Sequence, residues 1–412
     1  MLKFIHCADL HLDRPCSGLA TIDPELAARL RQAPGAALDR IVELAIREQV
    51  DFVLIAGDVW DQKEKSLTAR LFFNTRMRRL AEAGIACFYV GGNHDPLTNE
   101  RETLPLPDNV HCFGGRVGMV PFYRDGKEVA HLYGISFTRA AETANLSLQF
   151  VRQNPEVPAI AILHCNIGNT GHDNYAPAAI DDLCRAGMDY WALGHVHRFQ
   201  VLREQAPAIV YPGCAQGGSP RETGAHGCCL VTIDAAGRVK VDFHPMDVIR
   251  FATREITATA AADWETAIGL VLAAAREEAA GSDRDLVLRC LLTGRTGFDA
   301  ELRRDDSREA ARQEINARLA DTTPLVRVER LTAVTHGVYD REELARGSDF
   351  AAELIALYRS AAAEPEMLAE LRRELDAVLV RFTGAPLPED EFGRVLDAAL
   401  DRSLNLLADG GE

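Results

Sequence analysis

Five apolar runs in the first half of this chain each stop at a short cluster of glycine, aspartate, asparagine or histidine. Residues 2–7 lead to Asp9-Leu10-His11. Residues 51–56 lead to Gly57-Asp58-Val59-Trp60-Asp61, and residues 85–90 to Gly91-Gly92-Asn93-His94-Asp95. Residues 159–163 lead to His164, and residues 190–193 to Gly194-His195-Val196-His197. Short apolar runs alternating with helical segments read as buried strands of a layered α/β fold. In such folds, groups beyond the carboxyl ends of strands converge on one edge of the sheet. The pattern therefore predicts that five polar clusters meet.

Each cluster alone has an ordinary explanation. Gly-Asp and Gly-Asn are turn formers. A lone histidine beside an apolar run is usually a satisfied core residue. The chemistry of the set is different. Residues two apart in an extended segment point the same way, so Asp9 and His11, and likewise His195 and His197, are each expected to share a face. The Asp58 carboxylate has two oxygens and can bridge two ions. Asn93 offers a neutral carbonyl ligand, and His94 can give a proton to a leaving oxygen.

The order D-x-H, G-D-x-x-D, G-N-H-D, H, G-H-x-H resembles the calcineurin-like metallophosphoesterase superfamily, and its motifs cover Asp9 to His197. That resemblance implies a layered β-sandwich flanked by helices. It implies that Asp9, His11, Asp58 and His197 hold one divalent metal ion. Asp58, Asn93, His164 and His195 hold a second, with Asp58 bridging. His94 becomes the general acid or transition-state stabiliser, and Asp61 the residue that orients and charges it. The mixed oxygen and nitrogen donors suit Mn²⁺, with Fe or Zn as alternatives. The wording around residues 5–13 and 56–61 looks most like the SbcD-type DNA repair exonucleases, and within them the bacterial YhaO branch. Some archaeal and eukaryotic relatives carry a histidine where this chain has Asp61. The resemblance implies DNA as substrate, an SbcC-like coiled-coil ATPase as partner, and homodimerisation. A small-molecule phosphodiesterase or phosphatase, using the same site, is the alternative, and a non-enzymatic scaffold the third reading.

At 412 residues the chain is too long for one core. Residues 1–245 read as the catalytic domain, 251–335 as a small α+β capping domain, and 341–412 as C-terminal helices able to dock a partner. A linker is expected near residues 244–250, and helix breaks at Pro34-Gly35, Pro365 and Gly384-Ala385-Pro386. The net charge of −16 argues against a simple electrostatic nucleic-acid binder. Its distribution matters more: residues 1–250 carry −4 and residues 251–412 carry −12. Ten scattered cysteines without a CxxC pair read as reduced and buried. With no signal-peptide layout and no membrane-length apolar run, the reading is a cytoplasmic enzyme without a membrane partner. Arg139, Arg198 and Arg221 lie near motif ends and can meet phosphates, although a surface arginine is the ordinary reading of each. For His172, His226 and His244, core or surface roles are the default.

Overall fold

The computed structural model describes residues 1–14, 24–61, 66–97, 105–168, 173–383, 386–388 and 391–409. Cys16, His172 and the Gly384-Ala385 break fall outside them. The chain divides into two compact units. The first comprises Met1–Ala252 and Asp283–Val287, the second Thr253–Ser282 and Leu288–Glu412.

The first unit is built on two six-stranded mixed sheets. One contains β1 (Leu2–Cys7), β2 (Phe52–Ala56), β3 (Ala86–Val90) and β4 (Val110–Cys112). The other contains β5 (Gly118–Arg124), β6 (Lys127–Ile135), β7 (Ala159–His164), β8 (Tyr190–Gly194), β9 (Gln200–Arg203) and β10 (Ala208–Tyr211). The chain then returns to the first sheet as β11 (Gly227–Ile233) and β12 (Val239–Pro245). The strand orders are β12-β11-β1-β2-β3-β4 and β5-β6-β7-β8-β10-β9. The pairs β1–β2, β2–β3, β6–β7 and β7–β8 are parallel, so the five motif-bearing strands end on the same side of their sheets.

Strand alternation sorts the side chains into layers. Phe4, Phe52, Leu54 and Val90 face inward against Ile160, Ile162, Tyr190 and Ala192 of the other sheet. Ile5, Val53 and Ile55 face outward onto helices Pro24–Arg47 and Leu67–Glu82. On the far side, Ile135, Leu163, Trp191 and Leu193 pack with Leu146, Phe150 and Leu183. The result is the expected layered sandwich. His6 crosses the inner layer. One ring nitrogen is 3.1 Å from the Leu193 carbonyl and donates to it, so the other accepts from the Tyr190 hydroxyl at 2.9 Å. Burial lowers its pKa to about 3, which keeps this inter-sheet link neutral.

One expectation fails. The helix is not broken at Pro34-Gly35 but runs unbroken over Pro24–Arg47. Leu30, Ala33, Pro34, Ala37 and Leu38 are all buried on it, and the Phe72 ring lies against Gly35. Burial of this face outweighs the hydrogen bond that proline removes.

In the second unit lies most of a sheet ordered β13 (Ile249–Thr257), β14 (Asp285–Arg295), β15 (Val326–His336). Helices Trp264–Ala280 and Asp305–Arg318 bury Val271, Leu272, Ala311 and Ile315. Among the described residues four helices follow, the short Arg341–Leu344, then Phe350–Ala363, Pro365–Thr383 and Phe392–Asp409. Pro365 opens its helix, where its missing N–H costs nothing. Asp401 of the last helix pairs with Arg295 and Arg341 and accepts from the Tyr339 hydroxyl at 2.7 Å. No helix among the described residues is long and apolar enough to cross a membrane.

Candidate metal centre

The strand ends meet through backbone turns. Asp9 and His11 have φ of 51° and 45°, Asp58 54° and His195 98°. Non-glycine residues avoid this left-handed region, at a cost of about 1–3 kcal/mol each, and such strain clusters at functional sites. The expectation that Asp9 and His11 align by strand alternation is therefore corrected: a left-handed turn aims them. The Asp9 N–H donates to the Gly57 carbonyl at 3.0 Å and the His11 N–H to the Asp58 carbonyl at 3.1 Å, locking the first two loops together. Gly57, at φ 96°, passes so close to His164 that a Cβ there would strike the imidazole, and a Cβ at Gly194 would meet the Ala56 carbonyl.

Four overlapping groups of side chains result among the described residues. Two of them, His11-Asp61-His94 and His197-Cys214-Glu222, each share a histidine with the group Asp9-His11-His197. Asp9, His11 and His197 present ligand atoms within 4.8 Å of one another, and so do Asp9, Asp58 and His164. His11 Nε2 lies 3.2 Å from His197 Nε2, which is 3.9 Å from Asp9 Oδ1. On the other side, His164 Nε2 lies 2.9 Å from Asn93 Oδ1 and 3.4 Å from Asp58 Oδ2. His195 Nδ1 is 3.3 Å from the same Asn93 oxygen. The H-x-H pair is thus split: His195 faces Asn93 and His197 faces His11, not one shared spot.

The hydrogen bonds settle which nitrogens carry protons. His164 Nδ1 donates to the Ala56 carbonyl at 2.9 Å. His195 Nε2 donates to the Asp173 carbonyl at 2.7 Å, and His197 Nδ1 to Glu222 at 2.6 Å. His11 Nδ1 is turned to Asp61 at 3.0 Å. In the neutral ring the opposite nitrogen of each is a lone pair. Lone pairs on His11, His164 and His195, the Asn93 oxygen and two carboxylates therefore converge as acceptors. His197 Nε2 joins them in its neutral ring, although, against burial, Glu222 and Asp9 raise the His197 pKa. Burial drives the His164 pKa well below its ordinary value, and burial brings His11 to about 4 despite Asp61, so both stay neutral. Acceptors facing acceptors in a buried site fit a cation, and the outer hydrogen bonds are those that orient metal-binding histidines.

Carboxylate electrostatics agree. Asp9 and Asp58 are each 1% exposed and Asp95 2%. Burial, with Asp95 and Glu222 nearby, raises Asp9 to about 7 despite His197. Burial, Asp95 and Asp9 push Asp58 well above the carboxylate range. Without a cation Asp9 and Asp58 are biased toward their protonated forms, and divalent charge removes that bias.

His94 stands at the rim, its side chain 40% exposed, with Nδ1 3.2 Å from Asp61 Oδ1. Its N–H donates to Asp58 Oδ1 at 3.0 Å. Arg139 pairs with Glu142 at 2.8 Å, while Arg198 and Arg221 are both exposed. His226 is buried between Cys214 and the Glu222 carbonyl, and His244 is half-buried on β12. No disulfide links the nine cysteines among the described residues, and burial raises Cys7 and Cys165 to about 12, so neither offers a thiolate nucleophile.

Two residues escaped the sequence reading. Asp95 accepts from the N–H groups of Gly92 at 2.7 Å, Val59 at 2.8 Å and Asp58 at 3.2 Å, and from the Tyr89 hydroxyl at 2.6 Å. It ties the second loop to the third. Its place after Asn93-His94 was the available signal. Glu222, 25 residues past His197, had none.

Residues 2–199 match the calcineurin-like phosphoesterase family, and residues 251–336 match the middle domain of metallophosphoesterase YhaO. The chain is 40% identical over 234 residues to an uncharacterized metallophosphoesterase YhaO of Bacillus subtilis, covering 56% of this chain and 57% of that one. It is 26% identical over 239 residues to one component of the nuclease SbcCD of Escherichia coli, covering 49% and 57%. It is 25% identical over 228 residues to the DNA double-strand break repair protein Mre11 of Aeropyrum pernix, covering 52% and 53%. The chain thus spans about half the length of the curated relatives it matches. Strand-end motifs, sandwich and family match together establish that this chain carries a calcineurin-like metallophosphoesterase domain, the domain of a family of metal-dependent phosphoester hydrolases.

Proposed function

We propose that this protein is a two-metal phosphodiester hydrolase that cleaves DNA, acting with an SbcC-like ATPase in DNA repair. The observation that carries the hydrolytic reading is the convergence of acceptor atoms from Asn93, His164 and Asp58 on one buried spot. Asp9, His11, Asp58 and His197 hold one ion. Asp58, Asn93, His164 and His195 hold the other, and Mn²⁺ fits this donor set. Bound divalent ions supply a clamp for phosphoryl oxygens and an acidified water. The protein's own part is positioning and proton transfer. His94 holds a proton at the rim toward the leaving oxygen, and Asp61 orients that ring.

DNA as substrate is supported by the similarity to the Mre11 and SbcCD proteins and by the domain layout, not by the charge. Residues 251–335 serve as the capping domain in this reading, and residues 341–412 dock the partner. An apolar groove lined by Leu354, Leu357, Leu371 and Leu396 suits a partner helix.

Linear duplex DNA, incubated with Mn²⁺ or Mg²⁺ and with or without a candidate ATPase, tests the proposal. Release of nucleotides in Mn²⁺, increased by the ATPase, is expected. Turnover of a small diester with no DNA cleavage under any condition would replace it with the small-molecule reading. Co-purification of the ATPase with the truncation ending near Arg346, as efficient as with the full chain, would remove the docking role.

A further inference from the structure

We infer that Glu222, steadied by Arg14, is the positioning residue for His197, so that an Arg14–Glu222–His197 relay aims Nε2 of that histidine into the metal centre. The inference rests on reading His197 as a metal ligand.

His197 Nδ1 lies 2.6 Å from Glu222 Oε1. A carboxylate only accepts, so a proton sits on Nδ1, and in the neutral ring the lone pair is on Nε2, the atom that faces His11 and Asp9. A bare imidazole can take either tautomer, and this contact selects the ligating one. The carboxylate occupies the proton-bearing nitrogen, which makes it a partner of His197 rather than a competing ligand.

Glu222 is itself held. Its Oε2 accepts from the Gly218 N–H at 2.7 Å, and Arg14 lies 3.5 Å from both oxygens. Gly218 lies against the Arg14 guanidinium, which packs over this loop. The loop is pinned at three further points. The Glu222 N–H donates to the Ser219 carbonyl at 2.9 Å, the Glu222 carbonyl accepts from His226 at 3.1 Å, and the Gly224 N–H donates to the Phe251 carbonyl at 3.0 Å. Burial opposes the charge on Glu222, yet His197 and Arg14 hold its carboxyl well below the ordinary range.

Titration of the metal-free full chain with Mn²⁺, followed by calorimetry and by electron paramagnetic resonance, tests the relay. Wild type should bind two equivalents and show a spin-coupled pair. Glu222→Ala should keep one equivalent, weaken the other about 10–100-fold, and lose the coupled signal at stoichiometric metal. Glu222→Gln retains an acceptor for Nδ1–H and should restore most of the lost affinity. Two unchanged equivalents in Glu222→Ala would overturn the relay. His197→Ala separates the two levels. Should it bind both equivalents, the ligand reading of His197 fails. Should it lose one while Glu222→Ala loses none, only the relay fails. If Glu222→Ala does not fold, Arg14→Ala decides: weakening of one equivalent supports the relay, and two unchanged equivalents overturn it.

Discussion

Oδ1 of Asp61 lies 3.0 Å from Nδ1 of His11. The same oxygen is 3.2 Å from Nδ1 of His94. One carboxylate therefore serves both a ligand candidate and the acid candidate, a sharing that its sequence position does not reveal. The Asp61 N–H in turn donates to Asp13 Oδ1 at 2.7 Å, which fixes the loop.

This sharing makes Asp61→Asn a double lesion. Turnover should fall, and affinity for one metal equivalent should fall about 10–100-fold with it. Metal titration alongside a pH–rate profile checks this. An unaltered isotherm would restrict Asp61 to His94.

His94 and Asp58 should separate cleanly. His94→Ala should retain both metal equivalents and lose about 10²–10⁴-fold in turnover, the usual contribution of a general acid. Asp58→Ala should lose both metal and turnover. Full rate in His94→Ala would reject the acid assignment.

Asp95 should matter for stability rather than chemistry. Its carboxylate accepts four hydrogen bonds in a buried setting. Asp95→Ala leaves those donors unpaired and should cost about 2–4 kcal/mol. Tyr89→Phe removes one donor only and should cost about 1 kcal/mol. Chemical denaturation of the metal-free variants measures both.

The raised Asp9 pKa has a signed consequence. Its folded value of about 7 lies above the ordinary value of about 3.9. A raised carboxyl favours the folded state fully below the lower value, and that contribution is lost as pH rises to the upper one. The metal-free protein should therefore lose stability between about pH 4 and 7, and less so as Asp9→Asn. Mn²⁺ must displace a proton below pH 7, so its affinity should rise with pH and binding should release protons. Calorimetry in buffers of different ionisation enthalpy reads the released protons directly.

The strand runs, their order and the residue types at their ends were legible because buried parallel strands are near-continuous apolar segments. From these the sequence alone determined the layered α/β architecture of the first unit and the position of each polar cluster at a strand end. Packing decided the rest. Helix Pro24–Arg47 survives Pro34 because its buried face is held by Phe72 and the first sheet, which local propensity does not register. The split of His195 from His197 follows from a φ of 98° that alternation does not foresee. Glu222 and Asp95 gained their roles only when the chain closed on itself. Glu222 reaches His197 from a loop that returns after β10, and Asp95 turns inward to the backbone of Asp58 and Val59. Buried hydrogen-bond partners are chosen by proximity in space, and two short-range motifs carry no record of which distant carboxylate will be there. The donor types of the candidate metal centre were therefore written in the sequence, whereas their tautomers, their aim and their supports were decided by the tertiary structure.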